Sequence, residues 1–231
     1  MERTLKVTNV LSDPTRFNIY QYVIKKRKEV TVNEIAEEFG IHANVSRLHL
    51  SKLEDINLLV SYSQKTGKGG RPSRLYRLSN EVVELNFPHR DYKMLSAISL
   101  ETFAELGDIG RKALYDTGRK YGAKIMERYQ TPTTTDLTVE QKLQILEDAG
   151  TMLGLYPDFT YFPNKNTITF HVNNCPFKEV ALKNQSMVCK MHNEFIQGMF
   201  ESLFSGIELV ETENILQGCE NCTYVAKFSV I

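Results

Sequence analysis

The strongest constraint on this chain is the order of signals over its first eighty residues. Three helical patterns come first, the last two separated by a tight glycine turn, and then a hairpin whose tip mixes glycine with Lys and Arg. In the first pattern Leu11, Phe17, Ile19, Tyr20 and Val23 line an apolar stripe, with Ser12 or Asp13 as N-cap and Pro14 in the first turn. After the solvated run Lys25-Lys26-Arg27-Lys28, Thr31 caps a second helix and Glu34 completes a capping box. Ile35, Ala36 and Phe39 form its buried face and Gly40 ends it. A third helix is expected over 43–55, with Leu50, Leu53 and Val45 as core positions. Leu58-Leu59-Val60 opens a strand, 64–73 is a polar, glycine-rich loop, and Leu75 to Leu78 alternates as the return strand.

That order is what a winged helix-turn-helix requires. The second helix braces the third, the third presents side chains to the major groove, and the hairpin lies beside it. With Leu50 and Leu53 inward, Asn44, Arg47, Leu48 and Ser51 fall on the opposite face, with Lys52 near the phosphates. Asn and Arg suit adenine and guanine edges, while Lys and Ser suit phosphate oxygens. The stretch from Lys65 to Arg74 holds four cations (Lys65, Lys68, Arg71, Arg74) and three glycines in ten residues. Glycine permits close backbone approach, and Arg at a loop tip enters a narrow minor groove. Charge is divided accordingly. Of the 28 basic and 28 acidic residues, 14 and 8 lie within 1–80, leaving 14 and 20 for the rest. A basic first third on an acidic remainder points to a polyanion-binding module carried by a body that avoids the polyanion.

Leu11-Ser12-Asp13-Pro14-Thr15-Arg16 resembles the opening of the ArsR-like winged-helix regulators, and the stretch from Gly40 to Glu54 resembles their recognition helix. Ser46 departs from the pattern, standing where that family usually has an apolar residue. Gly70-Arg71-Pro72-Ser73-Arg74-Leu75-Tyr76-Arg77-Leu78 is similar to the wing of the Suf-operon repressor family. The resemblance implies a homodimer on a palindromic double-stranded operator, because one short helix contacts too few base pairs. It makes 92–129, a mostly helical stretch interrupted by Gly107 and Gly110, a candidate dimer helix, with packing inside one chain as the competing role.

The remainder reads as α+β. An amphipathic helix over 138–153 is capped by Thr138 with Gln141, after a breaker at 131–136. Strands follow near 158–163 and 167–172, then a helix over 184–204 and strands near 208–213 and 223–230. All four cysteines lie here: Cys175 after a strand, Cys189 with His192 at i, i+3 on a helix, and Cys219 and Cys222 as a Cys-x-x-Cys turn. If the last two strands pair beside the first two, these segments converge at one end of the sheet. Thiolates with an imidazole suit zinc or an iron–sulfur cluster, whereas free cysteines are also common as small buried hydrophobes. The spacing of Cys175, Cys189 and Cys219 resembles that of the Suf-operon repressor family, which implies a 4Fe–4S cluster. Either Cys219 or Cys222 would supply the third ligand. The Gly-x-x-x-Cys ending from Gly218 to Cys222, followed by an alternating strand, also resembles the 4-vinyl reductase-type ligand domain. The alternative to a cluster or metal is a small organic ligand, with the cysteines structural or incidental.

The expected class is therefore α+β: a winged helix-turn-helix over 1–80, a helical linker over 81–136, and an effector-sensing domain with an antiparallel sheet over 137–231. A thiol enzyme using Cys219 and Cys222 lacks the βαβ context such a pair needs, so a regulator acting as a repressor is expected rather than an enzyme. No apolar run reaches the roughly 18 residues of a membrane span, and no apolar signal core opens the chain, so a cytoplasmic location is expected.

Overall fold

The computed structural model describes residues 2–26, 28–64, 73–83, 85, 88, 90–129 and 137–227. The chain divides into two compact units, Met1–Arg90 and Asp91–Ile231. Among the described residues no helix is long and apolar enough to cross a membrane.

The first unit runs α1 (Glu2–Leu11), α2 (Pro14–Lys26), β1 (Val30–Thr31), α3 (Val32–Glu38), α4 (Ala43–Glu54), β2 (Leu59–Gln64) and β3 (Ser73–Leu78). Local chemistry explains the boundaries. Asp13 accepts from the Arg16 amide at the start of α2, with Pro14 as its first residue. Thr31 and Glu34 close the reciprocal capping box of α3, and Gly40, at φ +60, provides the left-handed turn into α4. The three strands form an antiparallel sheet in the order β1-β3-β2, with Ser61 opposite Tyr76 and Ser63 opposite Arg74. Ile19, Val23, Ile35, Leu50, Leu53, Leu59 and Tyr76 fill one core, joined by Val7 and Val10 of α1. Removing a buried leucine such as Leu50 from such a core costs roughly 2–5 kcal/mol.

Three expectations change here. A helix, α1, precedes the first one marked by periodicity. Phe17 and Val45, expected inside, are 40% and 41% exposed. Val45 is displaced because Ser46, one residue on, takes the inward position and is fully buried.

The second unit contains α5 (Tyr92–Glu105), α6 (Gly107–Met126), α7 (Val139–Met152), β4 (Pro157–Phe162), β5 (Thr167–Val172), α8 (Lys178–Ala181), α9 (Gln185–Glu201), β6 (Glu208–Glu213) and β7 (Cys222–Lys227). The interrupted helical stretch is two helices, broken at Gly107 with φ +64. Its long second part lies within this unit because α6 packs along α9 with almost no space between backbones. A Cβ on Gly118 would come within 2.8 Å of the Met191 carbonyl oxygen. One on Gly122 would fall onto the Phe195 carbonyl, and one on Gly198 onto that of Arg119. Arg119 and Glu201 add a two-pronged ion pair across the seam.

The antiparallel sheet has the order β4-β5-β7-β6. Phe170 stacks between Phe200 of α9 and Tyr224 of β7, with ring centroids 4.9 Å away on each side. Such pairs contribute about 1 kcal/mol each beyond their buried area. At the β6 edge of the sheet Gln197 of α9 plays the part of a missing strand. Its side-chain amide donates to the Ile207 carbonyl at 2.7 Å and accepts from the Leu209 amide at 3.1 Å.

Candidate nucleic-acid interface and thiol cluster

One face of α4 belongs to the core and the other to solvent. Ser46, His49, Leu50 and Leu53 are buried, whereas Asn44, Arg47, Leu48 and Lys52 are exposed and Ser51 is partly so. The inner face is set by polar contacts as well as apolar ones. Ser46 Oγ donates to the Val32 carbonyl at 2.8 Å, fastening α4 to the first turn of α3. His42 caps the helix, its Nδ1 accepting from the Asn44 amide at 3.2 Å.

Behind the helix His49 Nδ1 lies 3.9 Å from Asp13 Oδ2. Burial holds the His49 imidazole below its ordinary range, partly opposed by that carboxylate. Arg16 donates to the Val10 carbonyl at 2.6 Å and to Asp13. The Asp-Pro-Thr-Arg motif therefore orders the α1–α2 corner that supports α4. None of Ser46, His42, His49 or Arg16 was marked as functional by sequence reasoning. An unexpected serine at an inward helix position was the one visible signal.

On the outer face Arg47 Nη1 donates to Asn44 Oδ1 at 3.1 Å, so the two candidate base-reading side chains are already coupled. Lys52 lies 3.8 Å from Asp55. Leu48, 55% exposed, offers an apolar contact of the kind that meets a thymine methyl. Lys65, Lys68 and Arg71 lie outside the described residues. Arg74 lies at the loop end of β3, opposite Ser63, and bonds Glu54 and Ser61.

In the second unit three of the four cysteines come together. Cys175, Cys189 and Cys222 line one narrow cavity with His192, Asn214 and Tyr224, leaving room for about one water molecule. Cys175 Sγ is 4.0 Å from His192 Nδ1, Asn214 donates to Cys189 Sγ at 3.7 Å, and the Ile215 amide donates to Cys222 Sγ at 3.4 Å. Cys219 does not line this cavity, and no disulfide joins the four. Burial pushes the Cys175 thiol up to about 11 and the Cys189 thiol in the same direction, while it pulls the His192 imidazole down to about 4. His192 Nε2 is buried without a partner among the described residues.

This donor set has the chemistry of a soft-metal site with the spacing of packed, protonated thiols. Among the described residues no three His, Cys, Asp or Glu side chains are grouped so as to hold a metal ion. An iron–sulfur cluster does not fit the side chains as they stand.

Residues 11–62, from the end of α1 into β2, match the family model of a helix-turn-helix domain. The match supports a DNA-binding transcriptional regulator. No curated protein matches the chain. Among solved structures, the trafficking protein particle complex subunit 3 from Naegleria fowleri, covalently bound to palmitic acid, is 14% identical with a TM-score of 0.42. That match covers 60% of this chain and 91% of the other. The phenol-responsive sensory domain of the transcription activator PoxR, solved with phenol, is 17% identical with a TM-score of 0.44, covering 79% and 89%. Likenesses this slight say nothing of what the chain binds.

Proposed function

We propose that the chain is a homodimeric transcriptional regulator, acting as a repressor, that reads a palindromic duplex through α4 and is controlled through its C-terminal unit. The observation that carries the DNA reading is the two-faced α4, core on one side and Asn44, Arg47, Leu48, Ser51 and Lys52 on the other, inside a segment matching a helix-turn-helix. Asn44 and Arg47 address base edges, Leu48 a methyl group, and Ser51 and Lys52 the backbone.

Binding to duplexes selected from a random-sequence pool by the full chain tests this across a salt series. Arg47→Ala weakens binding about tenfold or more and blurs the selected sequence. Lys52→Ala lowers the salt slope by about 0.9, the share of one phosphate contact. Unchanged affinity in both variants removes α4 from the interface.

The second copy is assigned to α5. Tyr92, Met94, Leu95 and Ile98 are each more than half exposed, and the apolar surface continues into Leu106 and Ile109. Clustered exposed apolar side chains of this kind mark interaction sites more often than isolated ones do.

The sensing role rests on the convergence of Cys175, Cys189, His192 and Cys222 from three separate segments. A cluster or zinc requires those thiols to deprotonate and close together, whereas a small organic effector requires neither. Metal and acid-labile sulfide analysis after anaerobic purification separates the three. Iron with sulfide marks a cluster, one zinc per chain marks a structural ion, and neither leaves the thiols as packing groups and the effector organic.

A further inference from the structure

We infer that Arg74 is a positioning residue of the DNA-binding unit, tying the loop end of the β2–β3 hairpin to the last turn of α4 and keeping its charge there instead of offering it to phosphate. The inference rests on the DNA-binding reading above and deepens it. Composition alone counts Arg74 with the wing cations. The structure gives it two hydrogen-bonding partners instead. Its Nη2 donates to Glu54 Oε2 at 2.7 Å, and its Nε donates to Ser61 Oγ at 2.8 Å. Ser61 Oγ donates in turn to Glu54 Oε1 at 2.6 Å. The result is a closed ring of side chains drawn from α4, β2 and β3.

Several features make the ring a brace. Ser61 pairs with Tyr76 and Arg74 with Ser63, so Ser61 and Arg74 are diagonal neighbours on one sheet face. The guanidinium lies 5.3 Å from the centre of the Tyr76 ring, and Tyr76 is fully buried, which anchors that face in the core. Glu54 is the last residue of α4, where a carboxylate opposes the helix dipole and a neighbouring cation offsets it. The two contacts leave the guanidinium in different directions from a planar fork, which an ammonium group cannot reproduce. A hairpin held this way turns with the recognition helix as one body, so the angle between the groove-reading helix and the ribbon beside it is built into the free protein.

Salt titrations of DNA binding separate a brace from a phosphate contact. Arg74→Ala weakens binding about tenfold at every salt concentration and leaves the slope unchanged, whereas a lost phosphate contact lowers the slope by about 0.9. Glu54→Ala also weakens binding although it removes a negative charge, and Arg74→Lys, which keeps its charge, stays as weak as the alanine variant. A lowered slope in Arg74→Ala, tighter binding by Glu54→Ala, or recovery in Arg74→Lys overturns the inference. Amide exchange at Ser61 and Tyr76, measured without DNA, speeds up in both Arg74 variants, and unchanged protection there overturns it as well. If the unmodified chain binds no duplex, the DNA reading fails while the exchange measurement still decides the brace.

Discussion

His192 is a base kept neutral by its surroundings, and its burial has a consequence for the whole second unit. In water the imidazole titrates near 6.5; inside the fold burial lowers this to about 4. Protons therefore bind the unfolded chain in preference, so the group's contribution to stability is complete above 6.5 and is lost as pH falls from 6.5 toward 4. The loss is on the order of 3 kcal/mol. Urea unfolding at pH 7.5 and 4.5 measures it, and His192→Gln flattens most of the difference. A variant that keeps the full pH dependence shows that another group, such as His49, which burial also holds below its ordinary range, carries it. Single residues were legible in the sequence where their partners are close along the chain. Thr31 with Glu34 and Thr138 with Gln141 form the capping boxes their spacing predicts. Ser46 reaches Val32 fourteen positions away and Arg74 reaches Glu54 twenty away, and no local pattern marks such pairs.

At the scale of elements, the helices and strands follow periodicity closely, because apolar spacing reports which face is buried even when the neighbour is unknown. It does not report the neighbour. Gly118, Gly122 and Gly198 drew no reading from the sequence, and only the pairing of α6 with α9 explains them. Alanine in place of glycine inside a free helix gains up to about 1 kcal/mol. Here the sign reverses. Gly122→Ala drives its methyl into the Phe195 carbonyl and forces the helices apart, a net loss of roughly 2 kcal/mol. Thermal unfolding of that variant falls by roughly 5 °C. An unchanged or raised midpoint means that the two helices do not approach so closely in solution. The cysteine segments were legible to the same extent. Their convergence follows from the order β4-β5-β7-β6, in which Cys222 lies directly opposite Val172, three residues before Cys175. The exclusion of Cys219 depends on side-chain placement that spacing does not encode.

At the scale of the molecule, the change of charge and of periodicity suggested three parts, 1–80, a helical linker over 81–136 and 137–231, whereas the compact units are Met1–Arg90 and Asp91–Ile231. The fate of α5 was not legible. Its apolar content is that of a core helix, yet Leu100 is its one buried residue. Placing a charge on its open side distinguishes a seam between copies from an idle surface. Ile98→Glu shifts the sedimentation of the full chain from dimer to monomer, and DNA affinity falls with it because two half-sites are no longer held together. A chain that sediments as a monomer before the change rules out α5 as a seam between copies.

The far side of the sheet is arranged to prevent association. Strand β6 carries Glu208, Glu211 and Glu213, and the backbone of its open rim is already engaged by the Gln197 amide. An incoming strand would have to displace a glutamine and approach like charges at once. Growth by strand addition is thereby opposed at the β6 rim, whatever the local concentration of the protein.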